Sequence, residues 1–235
     1  MNNNSGKIFF ILFVFSCILI SCSKKSTFDV DSLNQEIKIT YENKYIYLEK
    51  SSNNSDTVLM FYPGGLVHED AYIETLSKIV EKGINVLIIR MSFDLAVISK
   101  NRGLKQIENF PNAQTWFLSG HSLGGAMCCS VIDDNKEKFA GLILWAAYPS
   151  ENDDISDYYG KALSIYASED GLSTIKDIES KKSFLPSSTE YFLIEGGNHA
   201  QFGTFGTMKD DGIAKISKEI QQEIISDKTV KFIRK

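Results

Sequence analysis

One serine lies in a setting that favours nucleophilic chemistry. Residues 120–125 read GHSLGG, and Ser122 falls between a strand-like apolar stretch and a helix-like one. A turn this tight strains the serine backbone, so the positions two before and two after it must be very small. Gly120 and Gly124 meet that need. We therefore predict that Ser122 is a nucleophile, raised above a sheet edge at a helix N-terminus.

A serine hydroxyl becomes a strong nucleophile only when a base removes its proton. The chain has three histidines. His121 adjoins Ser122 and is expected to point away from it, and His68 precedes the serine, against the order nucleophile, acid, base that accompanies this turn. His199 lies in a Gly-rich stretch (residues 195–199, EGGNH) just after a predicted strand. We predict that His199 is the base.

The acid that orients the base is expected after the preceding strand. The strand-like residues 163–167 are followed by SEDG at 168–171, which offers two carboxylates. Asp170, before a glycine, is the predicted acid, and Glu169 is the alternative.

Acyl transfer also needs backbone N–H groups aimed at the oxygen that becomes negative. The residue after the nucleophile, Leu123, is expected to supply one. The turn after the strand-like segment 57–62 reads PGGL at residues 63–66. Gly65 is the predicted second donor, with Leu66 as the alternative.

The elements that must position these residues alternate between strand and helix from about Glu36 onward, which predicts an α/β domain with a mostly parallel sheet and helices on both faces. An antiparallel edge hairpin is expected over 37–48. The other predicted strands are 57–62, 84–91, 115–119, 141–147, 162–167 and 191–195. The predicted helices are 70–82, 99–109, 122–133, 173–182 and one from about 217 that turns Ile220, Ile224, Ile225 and Phe232 inward. The short connection between residues 147 and 162 excludes a large lid.

Composition limits the class of protein. The chain has 235 residues, 43% hydrophobic and 23% charged, as expected for one globular domain. Its net charge of −5 and its pI near 5.3 argue against an electrostatic nucleic-acid binder.

The first residues differ in kind from the rest. Residues 1–21 hold one charged side chain, Lys7, before an apolar run that is too short to span a bilayer comfortably, and this layout is typical of a secretory signal. Residues 19–22 (LISC) resemble the bacterial lipoprotein box, in which the cysteine is diacylated and becomes the new N-terminus. We therefore predict a signal peptide over 1–21, lipidation of Cys22, a tether over 22–35 and a catalytic domain over 36–235.

The remaining cysteines do not suggest a disulfide framework. Cys17 leaves with the signal, and Cys128 and Cys129 are adjacent in a predicted helix, where successive side chains diverge by about 100°. We expect both to be small core residues.

Four stretches resemble the α/β-hydrolase superfamily, and more narrowly its small, lidless, dienelactone-hydrolase-like bacterial branch. They are residues 61–67, 119–127, 164–171 and 194–203. The resemblance implies an eight-stranded sheet, a Ser-His-Asp triad, no cofactor or metal, and hydrolysis of carboxylic esters or related acyl bonds. Dienelactone hydrolases themselves use cysteine as nucleophile, and Ser122 departs from that pattern.

The expected activity is a two-step acyl-enzyme reaction on a small-molecule ester. A thioesterase or peptidase with the same triad is the nearest alternative, and a surface-binding lipoprotein without catalysis is an alternative of another class. The expected location is outside the cytoplasm, with a lipid anchor in a bacterial membrane. We expect a monomer and no nucleic-acid partner.

Overall fold

A computed structural model describes residues 23–52 and 55–235. The predicted signal peptide, residues 1–21, and the predicted lipidation site, Cys22, lie outside the described residues. No helix in the part of the chain that the structure describes is long and apolar enough to cross a membrane.

Eight strands form one sheet in the order β1-β2-β4-β3-β5-β6-β7-β8. The strands are β1 (Ile37–Tyr41), β2 (Tyr45–Lys50), β3 (Thr57–Tyr62), β4 (Asn85–Ile89), β5 (Thr115–His121), β6 (Gly141–Trp145), β7 (Lys161–Ala167) and β8 (Glu190–Ile194). β2 pairs antiparallel with both β1 and β4, and every other pair is parallel. The expected eight-stranded, mostly parallel sheet with an antiparallel edge hairpin is confirmed.

The sheet separates two hydrophobic cores. Because successive side chains of a strand point to opposite faces, Leu59 and Phe61 of β3 enter one core while Met60 and Tyr62 enter the other. The central strands are buried on both faces, which explains why they read as unbroken apolar runs.

Helices cover both faces of the sheet. They are α1 (Ile73–Glu81), α2 (Ala96–Ser99), α3 (Leu123–Asp134), α4 (Ile175–Ser180) and α5 (Lys218–Ile233). α1 and α5 contribute to the first core, and α3 contributes to the second. α1 ends before Gly83, whose φ of 88° provides the left-handed stop. Cys128 and Cys129 of α3 are free and buried, as expected.

The helix expected over 99–109 does not form as one unit. The structure has only the short α2 there, followed by 3-10 turns over Lys100–Arg102 and Leu104–Asn109. The Tyr62 hydroxyl donates to the Lys100 carbonyl, which ties this turn to the second core. Gly103 also passes so close to the second core that a Cβ would lie 2.5 Å from the Met60 sulfur. Packing overrides helix propensity in this segment.

The inward face of α5 is the expected one except in its first turn, and Ile224 packs against the first core as predicted. Ile225 and Phe232 are buried, but Ile220 is 52% exposed. Gln221 and Gln222 are buried instead, and both hydrogen-bond to the loop after β8. Buried backbone N–H and C=O groups need hydrogen-bond partners, and the two glutamines supply them for this loop. The first turn of α5 therefore faces the core with polar side chains.

The tether expected over 22–35 is wrong for its described part. Lys24 forms a parallel bridge with Val67, and the Thr27 N–H donates to the Thr204 carbonyl at 2.9 Å. Farther along, three half-buried apolar side chains pack against the first core: Phe28, Val30 and Leu33. Residues 23–33 therefore contact the catalytic domain and do not extend away from it as a free tether.

The loops after β3, β5, β7 and β8 all leave the same edge of the sheet, because these strands are parallel. We call this the carboxyl edge. Residues 146–160, which connect β6 to β7, contain neither helix nor strand, in agreement with the exclusion of a large lid.

Candidate active site

Ser122 occupies a sharp, strained turn between β5 and α3. Its φ of 52° and ψ of −124° lie where residues other than glycine are rare. The Ser122 N–H donates to the Trp145 carbonyl at 3.0 Å, and the Ser122 carbonyl accepts from the Ala126 N–H at 3.0 Å. Both bonds hold the turn, and the serine side chain stays partly exposed at the carboxyl edge.

Close backbone contact explains the two glycines around the serine. A Cβ on Gly120 would lie 2.6 Å from the backbone of Gly124, and a Cβ on Gly124 would lie 2.3 Å from the carbonyl oxygens of Tyr62 and Pro63. Because the obstructing atoms belong to the backbone, no side-chain movement could relieve the clash.

The predicted base and acid meet, although their loops are far apart in sequence. The His199 Nδ1 lies 2.8 Å from the Asp170 Oδ2, and both side chains are almost fully buried. The other carboxylate oxygen, Oδ1, accepts the N–H groups of Leu172 at 2.8 Å and Ser173 at 2.7 Å. Asp170 is therefore held on both sides.

This contact fixes the tautomer of His199. An ionised carboxylate only accepts hydrogen bonds, so Nδ1 carries the proton and Nε2 presents a lone pair. Nε2 is buried and has no hydrogen-bond partner among the described residues, the Ser122 hydroxyl included. The structure thus joins acid to base by a hydrogen bond, but not base to serine.

The alternative acid, Glu169, is directed elsewhere. Its carboxylate accepts from Lys215 Nζ at 2.9 Å and from the Ser168 hydroxyl at 3.0 Å. Those bonds, with Lys215 contributing most, lower the pKa of Glu169 below its usual value. Of the two candidate acids, it is Asp170 whose carboxylate contacts the His199 ring.

Neither the Gly65 N–H nor the Leu123 N–H has an acceptor among the described residues. The two residues are close, since a Cβ on Gly65 would lie 2.8 Å from the Leu123 Cδ2. The alternative donor, Leu66, already donates its N–H to the Asp94 carbonyl at 2.8 Å. Of the two candidates in this loop, Gly65 is the one whose N–H remains available.

A buried tyrosine that the sequence did not single out supports this loop. The Gly64 N–H donates to the Tyr72 hydroxyl at 3.0 Å, and that hydroxyl lies 2.8 Å from the His121 Nδ1. Burial, reinforced by the neighbouring His199, lowers the pKa of His121 well below its usual value, so its imidazole is neutral. A neutral Nδ1 can accept a hydrogen bond from the Tyr72 hydroxyl. The hydroxyl can thus donate to His121 while it accepts from Gly64.

His121 also contacts the predicted base. Its ring centroid is 4.4 Å from that of His199 and 5.3 Å from that of Phe202. The residue next to the nucleophile therefore packs beneath the His199 imidazole and brings the base loop to the strained turn.

Asp211 is the second residue that the sequence did not reveal. Its Oδ1 accepts from the N–H groups of His199 at 3.2 Å and Gly171 at 3.3 Å, and its Oδ2 accepts from the Ala200 N–H at 2.9 Å. One carboxylate therefore connects the acid loop to the base loop. The local sequence, an Asp-Asp-Gly turn, is typical of many loops and gives no sign of this role.

A possible metal-binding cluster lies away from these residues. The side chains of His68, Glu69 and Asp70 approach one another within 4.8 Å. Arg90 already pairs with Glu69 at 3.0 Å, and His68 lies 3.2 Å from Asp70. The cluster thus has internal partners.

Comparisons with known proteins agree with this architecture. A family model described as the alpha/beta hydrolase family matches residues 58–223, more than half of the chain. The comparison with curated proteins matched none of them.

Several solved structures share the fold at low sequence identity. The esterase Est1E from Butyrivibrio proteoclasticus aligns at a TM-score of 0.62 and 11% identity, covering 86% of this chain and 100% of its own. Carboxylesterase CesB (YbfK) from Bacillus subtilis aligns at 0.61 and 8%, covering 86% and 92%. A predicted CIB-like hydrolase from Thermoplasma acidophilum aligns at 0.60 and 14%, covering 83% and 99%.

Proposed function

Because this chain belongs to the alpha/beta hydrolase family, we propose that it is a serine hydrolase that cleaves a carboxylic ester through an acyl-enzyme intermediate. The observation that carries the proposal is the buried hydrogen bond between His199 and Asp170 beside the strained Ser122. A buried acid–base pair at the edge where a serine is presented is the arrangement that nucleophilic catalysis requires.

In the first step, the Ser122 oxygen attacks the ester carbonyl carbon while His199 Nε2 takes the hydroxyl proton. Asp170 keeps Nδ1 protonated and stabilises the imidazolium that forms. The tetrahedral intermediate then collapses, and the alcohol part of the ester leaves with the proton from His199. Water then attacks the acyl-serine and gives a proton to His199. The bond to the Ser122 oxygen breaks, His199 returns the proton to that oxygen, and the acid is released. The Ser122–His199 hydrogen bond that this step needs is commonly long in an unliganded site and shortens when substrate binds.

The N–H groups of Gly65 and Leu123 are proposed to bind the oxyanion. Their support is that both are close to the serine turn and lack other acceptors among the described residues. Leu123 also begins α3, so its N–H is directed outward at the positive end of the helix dipole.

A fluorophosphonate probe tests the proposal directly, because it labels only an activated serine. We expect the wild-type protein to be labelled and Ser122→Ala to stay unlabelled. Ser130→Ala is a matched control, since Ser130 lies in α3 away from the turn and bonds to Lys100. An unlabelled wild-type protein that is correctly folded would favour a surface-binding lipoprotein without catalysis.

A substrate panel then separates the related activities. Short p-nitrophenyl esters, the matching thioesters and a peptide amide would be compared at equal acyl length. We expect the oxygen esters to be hydrolysed fastest, as the similarity to the esterase structures suggests. Faster turnover of the thioester or the amide would favour a thioesterase or a peptidase with the same triad.

We also propose that Cys22 is lipidated after removal of residues 1–21, which anchors the protein to a bacterial membrane outside the cytoplasm. The support is the motif at residues 19–22. Metabolic labelling with palmitate should mark the wild-type protein and not Cys22→Ser. Label retained in Cys22→Ser would place the acyl group elsewhere.

A further inference from the structure

The first described residues lie against the loop that is proposed to bind the oxyanion. The Lys24 N–H donates to the Leu66 carbonyl at 2.8 Å, and the Lys24 carbonyl accepts from the His68 N–H at 2.8 Å. The Ser23 hydroxyl also donates to the Leu66 carbonyl, at 3.4 Å. Leu66 follows Gly65 directly, so the N-terminal segment begins at the rim of the candidate active site.

The same segment reaches the loop that carries the base. Besides the Thr27–Thr204 bond, Lys24 Nζ donates to the Thr207 carbonyl at 3.1 Å. Cys22 is bonded directly to Ser23, so the proposed anchor is adjacent along the chain to the residue at this rim. Acyl chains on Cys22 would therefore start beside the active site and not at the end of a free tether.

Exposed apolar side chains are found on the same side of the molecule. Phe93 is 83% exposed in the loop after β4, and its neighbour Asp94 accepts the Leu66 N–H. Val97 and Ile98 of the same loop are about half exposed. Ile213, in the loop after the base, is 89% exposed. Exposed apolar side chains that gather on one side of a protein are typical of a surface that contacts a partner or a membrane.

Basic side chains lie beside two of these apolar ones, Val97 and Ile98. A groove of about 490 Å³ beside Val97 and Ile98 is lined by Lys44, Lys100, Arg102 and Lys105. Lys25, Lys44 and Lys105 have no carboxylate within ion-pair distance in the described parts of the chain, although Asp94 is also at this edge. An acidic chain of net charge −5 thus gathers unpaired cations near its proposed anchor. Apolar side chains next to unpaired cations are typical of a surface that binds an anionic bilayer.

We infer that the carboxyl edge docks on the membrane, with Phe93, Val97 and Ile98 inserted at headgroup depth, and that the substrate is an ester presented by the bilayer. This inference rests on the proposed hydrolase activity for its substrate and on the proposed lipidation of Cys22 for its anchor. The docking face itself is defined by the N-terminal contacts, the apolar side chains and the cations.

Tryptophan reporters test the orientation without any need for catalysis. Lipidated full-length protein carrying Ser122→Ala would be placed on vesicles of equal parts phosphatidylglycerol and phosphatidylcholine, the latter brominated on its acyl chains. We expect Phe93→Trp to lose more than about half of its added fluorescence, because an interfacial side chain reaches about 5–10 Å into the bilayer. The native Trp116 and Trp145 are buried and give a constant background.

Tyr159→Trp is the matched control. Tyr159 is 73% exposed but precedes β7, at the opposite edge of the sheet. Its fluorescence should be no more quenched than that of the protein without a reporter. Equal quenching at both positions, or none at position 93, would overturn the docking face. A dimer in solution that protects position 93 would also overturn it, since the face would then cover a second copy.

A linker insertion tests the substrate class. A flexible Gly-Ser segment inserted between Cys22 and Ser23 keeps the anchor but frees the active site from the surface. We expect the rate on a vesicle-borne ester to fall by about tenfold through lower effective concentration, while the rate on p-nitrophenyl butyrate is unchanged. An unchanged rate on both esters would refute the bilayer substrate while the hydrolase stands. Inactivity on both esters, with quenching at position 93 retained, would refute the hydrolase while the docking face stands.

Discussion

The two halves of the candidate site are held by different forces. The serine half, residues 120–125 with the loop 63–66, is fixed by backbone atoms so close together that only glycine fits at key positions. The acid–base half consists of the loops after β7 and β8. These loops donate backbone N–H groups to the Asp211 carboxylate, and Asn198 of the second loop exchanges hydrogen bonds with Gln221; both partners lie farther along the chain. A steric constraint that only glycine satisfies leaves a motif in the sequence, whereas hydrogen bonds from a distant segment leave none.

The largest expected effect lies in the acid–base half. Asp170→Asn should lower kcat by about 10⁴-fold with little change in stability. The Oδ1 position accepts two N–H groups, so the Asn oxygen would occupy it and the NH₂ group would face His199. His199 would then adopt the wrong tautomer, with the proton on Nε2. Steady-state kinetics with a soluble ester measures this loss.

Glu169→Gln is the control for that change. Glu169 pairs with the exposed Lys215, and exposed pairs of this kind contribute little, so the rate should change less than about threefold. If instead Glu169→Gln were the more damaging substitution, Glu169 would have to be the working acid.

In the serine half, Gly124→Ala should cost about 3 kcal/mol of folding free energy and abolish fluorophosphonate labelling, because the new Cβ would meet two backbone carbonyls. Gly206→Ala is the matched change at an open site: its φ is 81° but no atom would lie within 4 Å of the Cβ. That variant should lose only about 1 kcal/mol, from backbone strain. Urea unfolding of both variants measures the difference, and equal losses would contradict the steric explanation.

The hydrogen bonds that hold the acid–base half can be removed at Asp211. Asp211→Asn replaces an acceptor oxygen with an NH₂ group that faces a backbone N–H, so we expect a loss of about 2 kcal/mol and a kcat about 10–100-fold lower. Asp210→Asn removes the same charge next door. Asp210 is exposed and has a φ of 66°, which asparagine tolerates, so its stability should change by less than about 0.5 kcal/mol.

The smallest expected effect concerns His121, which lies between the two halves. Its pKa is lowered in the folded state, mainly by burial, so the unfolded chain binds the extra proton first as the pH falls. Stability from this group is complete above about pH 6.5 and should decline by about 1.4 kcal/mol between pH 7.5 and 5.5. Unfolding curves at several pH values test this, with His121→Gln expected to flatten that part of the profile. An unchanged slope would mean that another group titrates.

Much of the fold could be predicted from the sequence because it depends on local patterns. The buried parallel strands appear as continuous apolar runs and the edge hairpin as an alternating one. The 99–109 helix was predicted wrongly because Tyr62 and Gly103 contacts, which are tertiary, decide that segment. The prediction that Ile220 faces inward was wrong for the same reason. Gln221 and Gln222 face inward instead, because they hydrogen-bond to the backbone of the loop after β8.

The sequence by itself determined the order of strands and helices, the serine turn with its required glycines, and the short set of residues that could serve as base and acid. These follow from constraints between residues that are close along the chain. Only the tertiary structure decided that Asp170 rather than Glu169 contacts the His199 ring. It also decided that the Leu66 N–H donates to the Asp94 carbonyl and that residues 23–33 pack on the domain. Each of these contacts joins segments that are far apart along the chain. The spacing of residues in the sequence does not determine which of those segments lie next to each other in space.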